Sequence, residues 1–251
     1  MKTVLKYAAC VALLMNSAWA SSEDMPDGDD SPHWVRDLGE LSAVQQQIYT
    51  NKFAAAKRAY SSGSQTLCLQ FLTECEAIYA KNPNVWNLRA SVYIAQKNFD
   101  EALIWLEKVR SVAPDDLVAN LNFSLLHLGA GRYEQSIEEI DVLIDELKYK
   151  KGMDALVHSL IFRKFICLLK LGKVDEARAV VAKIDPMSFT PLYYYSQSML
   201  NYVAGDKKAA ARDMAAADRI YRTDSYLQAY KQNIQFSGLL SDKPAAEAET
   251  K

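Results

Sequence analysis

The chain is poor in the groups that carry out chemistry. It has three histidines, His33, His127 and His158, and no second histidine lies one helical turn from any of them, which argues against a metal site. There is no Gly-x-Ser-x-Gly elbow, no glycine-rich phosphate loop before a lysine and no Cys-x-x-Cys, so the common signatures of hydrolases, nucleotide-binding proteins and dithiol redox proteins are missing. No cofactor is implied. No segment alternates apolar and polar residues over the length of a strand, so essentially no sheet is expected. The apolar stretch from Tyr7 to Met15 falls well short of the ~20 residues that cross a bilayer.

Cysteine is also scarce. Of four cysteines, Cys10 lies in the leader, which leaves Cys68, Cys75 and Cys167. Cys68 and Cys75 are two turns apart on one expected helix, roughly 10 Å and too far to bridge. They read as packing residues, and the fold does not depend on disulfides.

The N-terminus has the form of a cleaved secretory signal: Lys2 and Lys6, then the apolar stretch, then Asn16-Ser17-Ala18-Trp19-Ala20 with small residues at the cleavage positions. The mature chain is expected to start at Ser21 in the periplasm or outside the cell, without stable membrane insertion. Cys10 follows Ala8-Ala9 like a lipidation site, but cleavage there would leave almost no apolar segment before it. Loss of residues 1–20 removes two lysines and no acid, moving the formal charge from −2 to −4. That balance disfavours nucleic acid, which needs a basic face. Residues 21–39 form an acidic lead-in, with Glu23, Asp24, Asp27, Asp29 and Asp30, expected to be disordered. The run Asp27-Gly28-Asp29-Asp30 lacks the alternating ligands and distal glutamate of a calcium loop. The small, charged tail over 241–251 is expected to be disordered as well.

Between these ends a pattern recurs. Trp86, Ala90, Tyr93, Ala102, Leu106 and Pro114 are spaced as large, small, aromatic, small, large and proline positions. Lys97-Asn98-Phe99-Asp100-Glu101-Ala102 reappears 34 residues on as Gly131-Arg132-Tyr133-Glu134-Gln135-Ser136, then as Gly172 to Ala177 and Gly205 to Ala210. The third copy is displaced by 41 residues, and the extra residues are expected in Lys148 to Met153. This pattern resembles the tetratricopeptide repeat, with Arg89 where leucine is usual. The resemblance covers roughly Asn84 to Tyr221; one unit matches well and three diverge. It implies an all-α fold, an α-solenoid with a right-handed superhelix of stacked antiparallel helix hairpins. Each hairpin buries its apolar stripe against the next, and small residues such as Ala90, Ala102, Ala177 and Ala210 allow close approach.

Helical spacing gives a first hairpin over 40–60 and 65–80, then pairs at 84–96 with 99–112, 116–129 with 133–147, 154–171 with 174–184, and 190–204 with 207–221. A last helix from about Asp224 to Gln235, capped by Asp224 or Ser225, would close the stack, so the array runs over 40–240.

The resemblance also implies where function lies, since the first helix of each pair lines the concave surface in arrays of this kind. The matching residues are Asn87 and Ser91; Leu121, Leu125 and Leu128; Phe162, Ile166 and Leu169; and Tyr195, Met199 and Tyr202. Asn122 and Arg163 alone fall where a clamp for a peptide carboxylate would sit. An apolar groove of this extent is a liability in a monomer. A protein or peptide partner fills it, a second copy covers it, or the face is rotated by about 100 degrees and these residues are core. The reading that follows is a non-enzymatic interaction scaffold of the bacterial cell envelope. Its alternatives are a structural subunit acting through homo-oligomerisation, and a helical hydrolase or sugar-processing protein using two acids in one cleft.

Overall fold

The computed structural model describes residues 32–184, 190–221 and 227–240. The signal segment, Cys10, the Ser21 start, Asp224, Ser225 and the tail over 241–251 lie outside them. The described residues form twelve helices and no strand. They are α1 (His33–Gly39), α2 (Ala43–Ser61), α3 (Gln65–Ile78), α4 (Pro83–Ala95), α5 (Phe99–Val112), α6 (Leu117–Gly129), α7 (Tyr133–Leu147), α8 (Asp154–Lys170), α9 (Val174–Ala182), α10 (Leu192–Val203), α11 (Lys207–Ile220) and α12 (Leu227–Ser237). Their bounds lie within a few residues of the spacing-based expectation. One difference is α1: the lead-in expected to be disordered over 21–39 is helical at its end, where Tyr79 donates to Asp37 at 2.9 Å.

The hairpin turns explain why the register repeats. Gly63, Lys97, Gly131, Gly172 and Gly205 each hold a positive φ, between 61° and 87°, directly after a first helix. At each turn the positive-φ residue donates its N–H three residues back and the next residue donates five back, as in Lys97 to Ile94 and Asn98 to Tyr93. This doubly bonded helix end satisfies carbonyls the helix leaves open, and it favours glycine because a Cβ crowds the left-handed conformation. Lys97 is the copy without glycine. The turn residues then start the second helix: Asn98 accepts from the Glu101 N–H and Asp206 from the Ala209 N–H. The extra residues before the third repeat turn, expected in Lys148 to Met153, lie mostly in α8, which has 17 residues where α6 has 13; the loop between α7 and α8, where Tyr149 stands exposed, takes up the smaller share.

The chain divides into two compact units, 1–126 and 127–251. In the first, α2 pairs with α3 and α4 with α5. Trp86 anchors the start of α4 by donating its indole N–H to the Ala80 carbonyl at 3.0 Å. Ala90 and Ala102 are fully buried. Cys68 and Cys75 are buried too, and desolvation pushes each thiol up to about 12, which leaves them unreactive at neutral pH. In the second unit α10 pairs with α11, while α8 is covered by α7, α9, α10 and α12 together. Eleven of its 17 residues are buried. Cys167, Ala177 and Ala210 are buried here as well.

Candidate functional site

The two units treat their first-helix faces differently. In the first, Asn87 and Ser91 lie one turn apart on α4 and meet Asn122 of α6. The Asn122 amide donates to Asn87 Oδ1 and to Ser91 Oγ, both at 3.0 Å. Asn87 Nδ2 in turn donates to Asp116 at 2.9 Å, and the same Asp116 oxygen caps α6 by accepting from the Ala119 N–H at 2.7 Å. The network closes on itself inside the fold. Arg89, the departure from the repeat pattern, is buried on another face of α4, bonded to Glu76 at 2.5 Å and Thr73 at 3.1 Å, with its guanidinium over the Trp105 ring. Arginine replaces leucine here because a carboxylate and an aromatic face await it.

In the second unit the face is aromatic, and a helix already lies on it. Tyr230 of α12 stacks on Tyr195 of α10, ring centroids 5.5 Å apart, and meets Phe162 of α8 at 5.0 Å. One turn on, Asn233 accepts from Arg163 Nε at 3.1 Å. Near the end of α12 the Phe236 ring lies against Gly129, where an added Cβ would overlap it. At the other rim Asp218 of α11 accepts from Tyr195 Oη and from Lys231 Nζ, both at 2.7 Å. Burial raises the Asp218 carboxyl, but the hydrogen bonds from Lys231 and Tyr195 and the lysine charge outweigh it, so the group sits below its ordinary value. Burial and the bond to Asp218 push the Tyr195 phenol up. Tyr202 donates to the Leu240 carbonyl at 2.9 Å and so holds the chain beyond α12.

This corrects the groove expected from the sequence. Asn87, Ser91, Leu121, Leu125, Leu128, Phe162, Ile166, Leu169, Tyr195 and Met199 are all buried, and Tyr202 alone is partly exposed. These residues are packing positions within the fold, and none of the ten presents an open surface to a ligand. Asn122 is taken up by Asn87 and Ser91, and Arg163 bonds to Asn233. The two do not form a carboxylate clamp. The last helix was expected at the open end of the stack; it packs on α8, and its Tyr230 reaches Tyr195 of α10. Tyr230, Asn233 and Phe236 were missed because the aromatic and amide spacing in α12 does not say which distant helix receives it. The available signal was α8, whose apolar residues fall on more than one face and so require cover from more elements than one hairpin supplies.

Two of the cavities among the described residues bear on charged or titratable groups. One of 480 Å³ lies between α11 and α12, lined by Met214, Ile234 and Leu240 under the Asp218–Lys231 pair. The other, of 430 Å³, is lined by Ile144, Ile161, Leu192 and His158, beside Lys164, which is tied to Asp141. Burial lowers the His158 pKa, with Asp154 opposing, so the imidazole is neutral at pH 7. Among the described residues, no three His, Cys, Asp or Glu side chains converge as metal ligands. No helix among them is long and apolar enough to cross a membrane.

No family model matches the chain, and no curated protein matches it in sequence. Its structure is similar to the crystal structure of a tetratricopeptide repeat protein from Parabacteroides merdae, with a TM-score of 0.54 over 92% of this chain and 82% of that one, at 15% identity. The fold is therefore all-α and tetratricopeptide-like, of the α-solenoid class. At that identity the two share a fold and nothing finer.

Proposed function

We infer that this chain is a non-enzymatic scaffold for protein–protein interaction, exported to the bacterial cell envelope. The tetratricopeptide-like fold supports the first part, because repeat arrays of helical hairpins generally serve as binding platforms. The observation that carries it is α12, whose Tyr230 docks on Phe162 and Tyr195. Packing of α12 on side chains of α8 and α10 supports the reading. The leader-like residues 1–20 support export.

The scaffold reading predicts stoichiometric retention of a defined protein when the chain from Ser21 is used for affinity capture from its native envelope. Failure to retain any protein above a charge-matched control contradicts it. Export predicts that the native protein begins at Ser21 by mass spectrometry. An intact Met1, or a lipidated Cys10 as first residue, contradicts the compartment.

A further inference from the structure

The second unit contains a cavity whose origin lies in the length of one helix. The second helices α5, α7 and α11 have 14, 15 and 14 residues, whereas α9 has nine. At about 1.5 Å per residue, α9 stops roughly 8 Å short of its counterparts. It runs back from the turn at Gly172 along α8, a helix of 17 residues. The end of α8 is therefore covered by α9, and its start, which carries His158 and Ile161, lies beyond that cover. The space left there is the 430 Å³ cavity, bounded by Ile144 of α7, Ile161 of α8, Val180 of α9, Ile184 and Leu192. Ile161 is one residue, about 100 degrees, away from Phe162. The cavity thus lies on a different side of α8 from the ring that Tyr230 meets.

The charges in this lining do not cancel. Lys164 is bonded to both oxygens of Asp141, at 2.6 and 2.7 Å, so that pair is neutral as a unit. Lys183, the C-cap of α9, stands exposed at the rim, and its side chain makes no ion pair or hydrogen bond among the described residues. His158 has no hydrogen bond among them either, and burial keeps the imidazole neutral. What faces the space is one uncompensated positive charge and one unused imidazole above an apolar lining. The 480 Å³ cavity lacks this asymmetry, because its Asp218 and Lys231 pair with each other. A bounded space of roughly 300–1,000 Å³, mostly apolar with a few polar groups, is the form of a small-molecule site.

We propose that this cavity binds one small amphiphilic carboxylate, a medium-chain fatty acid or a molecule of the same form. Its apolar body lies among Ile144, Ile161, Ile184 and Leu192, and its carboxylate meets Lys183 at the rim. The site depends neither on the scaffold reading nor on α12. Apolar burial carries most of the affinity, and an ion pair at an exposed rim sets the preference for a negative head. For a ligand as small as decanoate, a Kd on the order of 0.1 mM is expected.

Decanoate is the probe, titrated into the chain from Ser21 while the histidine ring signals are followed by NMR, with His158 assigned through His158→Gln. The His158 signal should shift saturably and those of His33 and His127 should stay in place. Decylamine, the same chain with a cationic head, should bind about tenfold less tightly. Lys183→Gln should weaken decanoate about fivefold without weakening decylamine. Its melting temperature should match that of the unaltered chain, since the lysine side chain has no partner to lose. An unmoved His158 signal at millimolar decanoate overturns the proposal. Equal affinity for decanoate and decylamine, or undiminished decanoate binding by Lys183→Gln, overturns it too. Movement of all three histidine signals together marks detergent-like partitioning and also contradicts it.

Discussion

The first unit closes its first-helix faces with amides and the second with aromatic rings. Asn122 ties Asn87 and Ser91 into a buried polar network that ends on the cap of α6. Phe162, Tyr195 and Tyr230 form a ring cluster between three helices. Both units use the same turn and the same small residues at close approach, so the repeat frame is indifferent to how the inner faces are filled. What differs is the kind of complementarity. Every group in an amide network demands its own partner, whereas a ring cluster is held by buried area and ring geometry.

The largest expected effect is in the aromatic unit. Tyr195 and Met199 have no exposed surface, so replacing both with serine removes buried ring and thioether volume at ~2–5 kcal/mol for each position. Thermal denaturation should show a fall of many degrees. A nearly unchanged melting temperature would return these residues to an open surface. In the amide unit Asn122→Leu strands the buried Asn87 Oδ1, while Ser91 Oγ keeps its bond to the Asn87 carbonyl, at a cost of ~1–3 kcal/mol for the acceptor left unpaired. Chemical denaturation measures it, and a neutral outcome would show that the network closes through other groups.

The turns and helix pairs were legible in the sequence because their chemistry is local. Gly131, Gly172 and Gly205 mark left-handed residues, and Asn98 and Asp206 mark caps three residues before the amides they satisfy. The orientation of the first helices was not. The stretch Leu121 to Leu126 is buried at every position, so its apolar periodicity cannot single out an inner stripe. A rotation of one residue, about 100 degrees, separates groove from core. The destination of α12 was equally out of reach, since Asn233 meets Arg163 from 70 residues away. Nothing local encodes a pairing over that distance.

Two smaller effects sharpen the same contrast. The shared frame predicts that Lys97→Gly stabilises the first unit by ~1 kcal/mol, because Lys97 alone among the repeat turns bears a Cβ at positive φ, here 61°. A loss of stability would show that the lysine side chain contributes more than the turn conformation costs. The smallest effect concerns Asp218 in the second unit. Its carboxyl is held below the ordinary value, so its contribution is complete above the unfolded carboxyl pKa of ~3.9 and is lost as pH falls through the lower folded value. Asp218→Asn should therefore flatten the decline of melting temperature below pH ~4. An unchanged acid limb would mean that the pair with Lys231 carries no stability.

The account turns on α12 lying across the inner face of the second unit. Nuclear Overhauser contacts between selectively labelled Tyr230 and Phe162 rings test this most directly, because their centroids stand 5.0 Å apart. The account predicts a strong cross-peak between them. A Tyr230 ring with solvent-like shifts and no contact to Phe162 would contradict it.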